Sequence, residues 1–173
     1  MKKLFVFISL LVFILIPATV YAASQETIDI SNFVFETRGP NGETPVDASN
    51  VVVSEEDAQT IKDGKYKVAL LMHESSDWVN AVLAGAQDRF AELGIEVVAV
   101  TDAEQDPNKQ RTDIETALAL NPDVIVTLII DPVSSAVALR QAIDKGVKVV
   151  LISNQPQDFV YGTDSAGIVT DDL

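Results

Sequence analysis

The chain has 173 residues, enough for one domain of ordinary size or a small domain with extensions. Its 12 basic and 26 acidic residues give a formal charge of −14, which argues against nucleic-acid and anionic-membrane binding, since both need clustered Lys and Arg. With no cysteine, structural disulfides, thiolate zinc sites, cysteine catalysis and a lipobox anchor are all excluded.

Lys2 and Lys3 precede an apolar run from Leu4 to Ile16, which Pro17 breaks. Val20-Tyr21-Ala22 then supplies small residues before a cut after Ala22, so residues 1–22 read as a secretory signal. The competing reading is an uncleaved anchor, but the run is short of the roughly 20 residues that span a bilayer. Export to the periplasm is the expectation.

Residues 23–64 read as a leader segment with one short helix. Ile28 to Glu36 alternates weakly, as an edge strand would, Gly39 to Gly42 is turn chemistry, and Pro45 to Asn50 is a connector. Ser54 caps a helix whose first turn holds Glu55, Glu56 and Asp57, where the helix dipole favours acids, and Gly64 is expected to stop it.

From Lys65 the pattern sharpens. Val68 to Met72 is an uninterrupted apolar run, suited to a strand buried on both faces. A helix follows from Asp77 to Leu93, its apolar face Val79, Val82, Leu83, Ala86, Phe90 and Leu93, and Gly94 ends it. Ile95 to Thr101 is a second strand. Asp106-Pro107 starts a second helix, with Ile114, Leu118 and Leu120 on its apolar face, and Asn121-Pro122 stops it. Val124 to Ile130 is a third strand. Ser134 or Ser135 caps the next helix, which contains Val137, Leu139, Ala142 and Ile143 and closes at Gly146. Val147 to Ile152 and Ile168 to Thr170 are the last two strands. Strands alternating with helices of this length require crossover connections. The fold class is therefore α/β, a doubly wound parallel sheet with helices on both faces.

In such sheets ligands bind outside the carboxyl ends of the strands. All five ends here are followed by hydrogen-bonding residues: His73 to Trp78, Thr101-Asp102, Asp131 to Ser134, Ser153 to Gln155, and Asp171-Asp172. Together they suit a ligand rich in hydroxyls. Asp77 and Ser134 serve equally well as helix caps. Trp78 either points into the crevice or folds under its helix as a core plug. His73 is the only histidine, so a transition-metal site would rest on carboxylates alone, and a hydrogen-bonding role fits it better. No metal or other cofactor is implied. The chain also lacks G-x-G-x-x-G after its first strand, G-x-x-x-x-G-K-[ST] and G-x-S-x-G, which argues against an enzyme and against an envelope α/β hydrolase in particular.

Over residues 55 to 173 the chain resembles the amino-terminal lobe of type I periplasmic sugar-binding proteins of ABC transporters. The likeness rests on the stretch from Lys67 to Trp78, Gly85-Ala86-Gln87, Leu93 to Val97, Thr101-Asp102 and Gln110. Ala119 to Asp123, Asp131-Pro132 and Gly167 to Asp171 continue it. The resemblance implies that Trp78 stacks on a sugar ring. It also implies that Ser76, Asp77, Asp131, Ser153 and Asn154 bind hydroxyls. Many members carry Asp-Arg where this chain has Ser153-Asn154, which removes a charged contact. The family closes two lobes around its ligand, so residues 65–173 are expected to be the first lobe of a truncated product. The implied partners are a sugar and an inner-membrane ABC permease, with a chemoreceptor-linked sensor as an alternative role. A cyclic polyol or a furanose signal is the alternative ligand.

Overall fold

Five apolar residues in a row can be strand only where both faces of that strand are covered. The computed structural model describes Arg38, Gly42 and residues 44–170. The expected signal over residues 1–22, the alternating stretch 28–36 and the acidic pair 171–172 lie outside the described residues.

A short 3-10 turn (Ala48–Asn50) leads into helix α1 (Glu55–Gly64), then β1 (Lys67–Met72), α2 (Asp77–Glu92), β2 (Glu96–Asp102) and α3 (Pro107–Leu118). β3 (Val124–Thr127), α4 (Pro132–Asp144), β4 (Lys148–Ile152) and β5 (Gly167–Val169) follow. The strands lie in the order β2-β1-β3-β4-β5, and every pairing is parallel. Val68 to Met72 are each no more than 2% exposed. Ala69 and Leu71 pack with Ile125, Val149 and Leu151 beneath α3 and α4. Val68, Leu70 and Met72 face the other way, toward Val79, Val82, Leu83 and Phe90 of α2. The sheet is doubly wound, as expected.

Several boundaries differ from expectation, each for a physical reason. Gly64 is the last residue of α1 instead of the residue after it, and Lys65 takes the left-handed conformation with φ 49°. A Cβ on Gly64 would meet the Tyr66 ring at 2.4 Å, so the glycine accommodates a close approach. Gly94 and Gly146 do close their helices, at φ 68° and 87°.

β3 stops at Thr127, three residues short of Ile130. The Thr127 hydroxyl donates to the Leu71 carbonyl at 2.7 Å, and residues 128–130 then leave the ladder. Leu120 is 45% exposed because α3 has already ended at Leu118. On α4 the buried face is Ser135, Ala138, Leu139 and Ala142, a strict three-and-four spacing. Val137 falls outside it and is 59% exposed.

The same helix therefore supplies its own control. Leu139→Ala should cost about 2–5 kcal/mol in urea unfolding. Val137→Ala should change stability by about 0.5 kcal/mol or less.

Candidate functional site

Parallel pairing brings the loops after β1, β2, β3 and β4 to one rim. The helices leaving β1 and β3, which are neighbours in the sheet, pack on opposite faces. A crevice opens between such diverging connections. The first turns of α2 and α4 flank it.

On the α2 side, Ser76 is extended (φ −150°, ψ 167°), and its hydroxyl accepts the Val79 N–H at 3.3 Å. Ser76 is the cap. Asp77, for which the sequence left cap and ligand contact equally open, is the first helical residue and is exposed. Val79 takes the buried position, which leaves Trp78 40% exposed at the rim. The indole is not a core plug.

On the α4 side, Asp131 is the cap in place of Ser134 or Ser135. Its Oδ1 accepts the Ser134 N–H at 2.7 Å, and Pro132 fills the first helical position, where no N–H is needed. That backbone bond from Ser134 holds the Asp131 carboxyl below its ordinary range. One oxygen of an expected ligand contact is thus committed to the fold.

Ser153 and Asn154 form a tight corner after β4. The Asn154 N–H returns to the Ile152 carbonyl at 2.7 Å, closing a three-residue turn around Ser153 at φ 61°. This is the rarer and strained hand of that turn. The Ser153 N–H donates to Val169 at 2.8 Å, and the Asn154 side-chain Nδ2 donates to the Ile129 carbonyl at 2.9 Å. The stretch between β4 and β5 is anchored by Arg140. Its guanidinium bonds Asp164 at 2.6 Å and the Asp158 carbonyl at 2.7 Å, and lies 4.6 Å from the Phe159 ring centroid. The bond from Arg140 lowers the Asp164 pKa.

All six expected residues thus lie on the rim, in two groups: Ser76, Asp77 and Trp78 on one side, Asp131, Ser153 and Asn154 on the other. Residues not singled out as site candidates do much of the work of holding it. Gln105 donates from its side chain to Glu74 at 2.8 Å and from its backbone to the His73 carbonyl at 2.8 Å. Gln110, buried on α3, bonds the loop after β3. The sequence carried a signal for Gln110: it lies on the same face as Ile114, Ala117 and Leu118, where a polar side chain must find partners. His73 Nδ1, Thr101 Oγ1 and Gln155 Oε1, on residues at or near the strand ends, are buried without a hydrogen-bond partner.

The electrostatics narrow the ligand class. Glu74, Asp77, Asp102 and Asp131 line the rim. Lys109 is held by the Asp102 carbonyl, with Asp113 at 3.5 Å and Glu104 at 3.8 Å. Such a rim disfavours anions and accepts neutral hydroxyls. Among the described residues no group of three or more His, Asp or Glu could hold a metal. A groove of about 200 Å³ between Gly146, Lys148 and Thr163 lies at the opposite, amino edge of the sheet, away from these residues.

Residues 68–168 match the family model described as a periplasmic binding protein domain. No curated protein sequence matches the chain. Similar solved structures include an ABC transporter solute-binding protein from Mycobacterium smegmatis with bound glycerol, at 23% identity and TM-score 0.54, covering 61% of this chain and 35% of that one. An ABC sugar transporter (periplasmic sugar-binding protein) from Legionella pneumophila is 26% identical with TM-score 0.51, covering 61% and 38%. The Caulobacter myo-inositol-binding protein bound to myo-inositol is 21% identical with TM-score 0.52, covering 61% and 35%. The chain spans little more than a third of the length of these proteins.

Asp131→Ala should lower the urea midpoint at pH 7, and Asp131→Asn, which keeps an acceptor, should lower it less. Because the folded carboxyl titrates below its ordinary value, the wild-type margin over Asp131→Asn is full above pH 3.8. It is lost as pH falls through the lowered folded value, and unfolding curves at pH 7 and in acid measure it.

Proposed function

The chain belongs to the periplasmic binding protein domain family, and from that premise we propose that it is the amino-terminal lobe of a non-enzymatic receptor for a monosaccharide. The observation that carries this reading is the exposed indole of Trp78, set at the crevice beside hydrogen-bonding loops. A pyranose or furanose has an apolar face of C–H groups, which an indole covers well, and a rim of hydroxyls. Ser76 and Asp77 lie beside that ring, and Asp131, Ser153 and Asn154 lie across the crevice.

With one Nδ2 N–H bound to Ile129, Asn154 keeps its amide oxygen and its second N–H for a ligand, and the Asp131 carboxylate is an acceptor. These acceptors suit hydroxyl donors, and the acidic rim disfavours phosphate esters. A cyclic polyol presents the same ring of donors and is the second reading. On this proposal residues 1–22 are a signal cut after Ala22, residues 23–64 a leader segment, and residues 65–173 the lobe. Export places the protein in the periplasm. Closure of a second lobe over the sugar signals an ABC permease, with a chemoreceptor as a further partner.

Trp78 is the only tryptophan in the chain, so its emission reports the proposed site directly. Titration with a panel of pentoses, hexoses and myo-inositol should give a saturable change for at least one member. By calorimetry, Trp78→Ala should weaken that ligand about tenfold, and Trp78→Phe less. Folded protein that responds to no member of the panel would sink the assignment.

A further inference from the structure

Three consecutive residues after β3 are held by side chains from other parts of the chain. Gln110 Nε2 donates to the Leu128 carbonyl at 2.8 Å. Asn154 Nδ2 donates to the Ile129 carbonyl at 2.9 Å. The Ile130 N–H donates to Gln110 Oε1 at 2.9 Å, and the Ser135 hydroxyl approaches the same oxygen at 3.4 Å. Gln110 is 1% exposed, so it does not itself meet a ligand. Its amide grips the loop from both sides of Ile129 and so fixes the direction of that residue's carbonyl, the group to which Asn154 is tied.

We propose that Gln110 is the positioning residue of the rim. By clamping Leu128 and Ile130 it aims the Ile129 carbonyl, and through it sets the Asn154 side chain. Asp131, the residue after Ile130 and the cap of α4, is placed by the same clamp. The ligand-facing part of the inference rests on the sugar-binding reading; the clamp itself does not. A buried amide suits this role because it donates and accepts at once along one short edge. A carboxylate cannot donate to Leu128, and an apolar side chain would leave both backbone groups unpaired.

The test uses the full chain labelled with ¹⁵N. In Gln110→Met, of similar size and without the amide, the Ile130 amide should exchange with solvent at least tenfold faster. The paired side-chain amide protons of Asn154 should shift toward free-amide positions. Backbone amides of β1 and of the Leu139 turn should keep their protection. Unchanged Asn154 signals would overturn the proposal, and so would equal loss of protection throughout the sheet, because either makes Gln110 a core residue and nothing more.

Should Gln110→Met fail to fold, Asn154→Ala approaches the same link from the exposed side. It should speed Ile130 exchange several-fold, and no change there would overturn the coupling. Where the wild-type chain binds a member of the sugar panel, Gln110→Met should weaken it at least tenfold and flatten the preference among sugars. Retention of both affinity and preference would overturn the ligand-facing part. The NMR arm needs no sugar, so failure of the clamp and failure of the sugar reading are told apart.

Discussion

Parallel pairing of β1 on both of its edges is the constraint from which the rest of the structure follows. β1 runs alongside β2 and β3 in one direction, with side chains alternating between two cores. A parallel neighbour can be reached only by a crossover that carries the chain back to the start of the sheet. That requirement puts α2, α3 and α4 on the faces and gathers the strand-end loops on one rim. It also makes β1 and β3 diverge, one toward α2 and the other toward α4. The place of the crevice is therefore set by topology before any loop residue is chosen, and Trp78 and Asp131 fall on its two sides.

What topology cannot do is hold the loops still, and a chain of hydrogen bonds supplies this. The first loop is tied to the second through Gln105, the first turn of α3 to the third loop through Gln110, the third loop to the fourth through Asn154, and the fourth to β5 through Ser153. Each such bond contributes about 1 kcal/mol net, but leaving a buried partner unpaired costs about 1–3 kcal/mol. Where the partner is buried, as for Gln110, the penalty for opening the link thus exceeds the benefit of making it. Strain accompanies the arrangement: Glu104, Gln105 and Ser153 all adopt left-handed φ, at 53°, 60° and 61°. Non-glycine residues are held there only when their surroundings over-determine them.

The order of strands and helices was legible because apolar runs and glycine or proline breaks carry that information locally. Gly94 and Gly146 read correctly for this reason, and so did the doubly wound class. The misread faces share one cause. Counting apolar residues assigned Val137 and Leu120 to the core, whereas small or polar residues, Ser135 and Gln110, occupy the buried positions. The caps of α2 and α4 were ambiguous among neighbouring Ser and Asp residues, although Pro132 at the first position of α4 favours the residue just before it. That hydrogen-bonding residues gather at the strand ends was readable too. The division of roles within it was not, since it depends on distant contacts such as Asn154 with Ile129 and Gln110 with Ile130.

A rim of this kind touches a ligand from one side. On the proposed reading, a sugar resting on Trp78 would gain about 1 kcal/mol from stacking and about 1 kcal/mol from each hydrogen bond that water does not outcompete. Three or four such bonds reach the millimolar range, where the lost translational and rotational freedom of the ligand already weighs heavily. At that margin, ordering a loose loop on binding would cancel the gain. Loops that are ordered beforehand remove this cost, and they also fix which atoms face the crevice. On the proposed reading, the linked rim would be the part of the fold that turns a weak polar surface into a selective one, because a ligand whose hydroxyls do not match could not be rescued by loop movement.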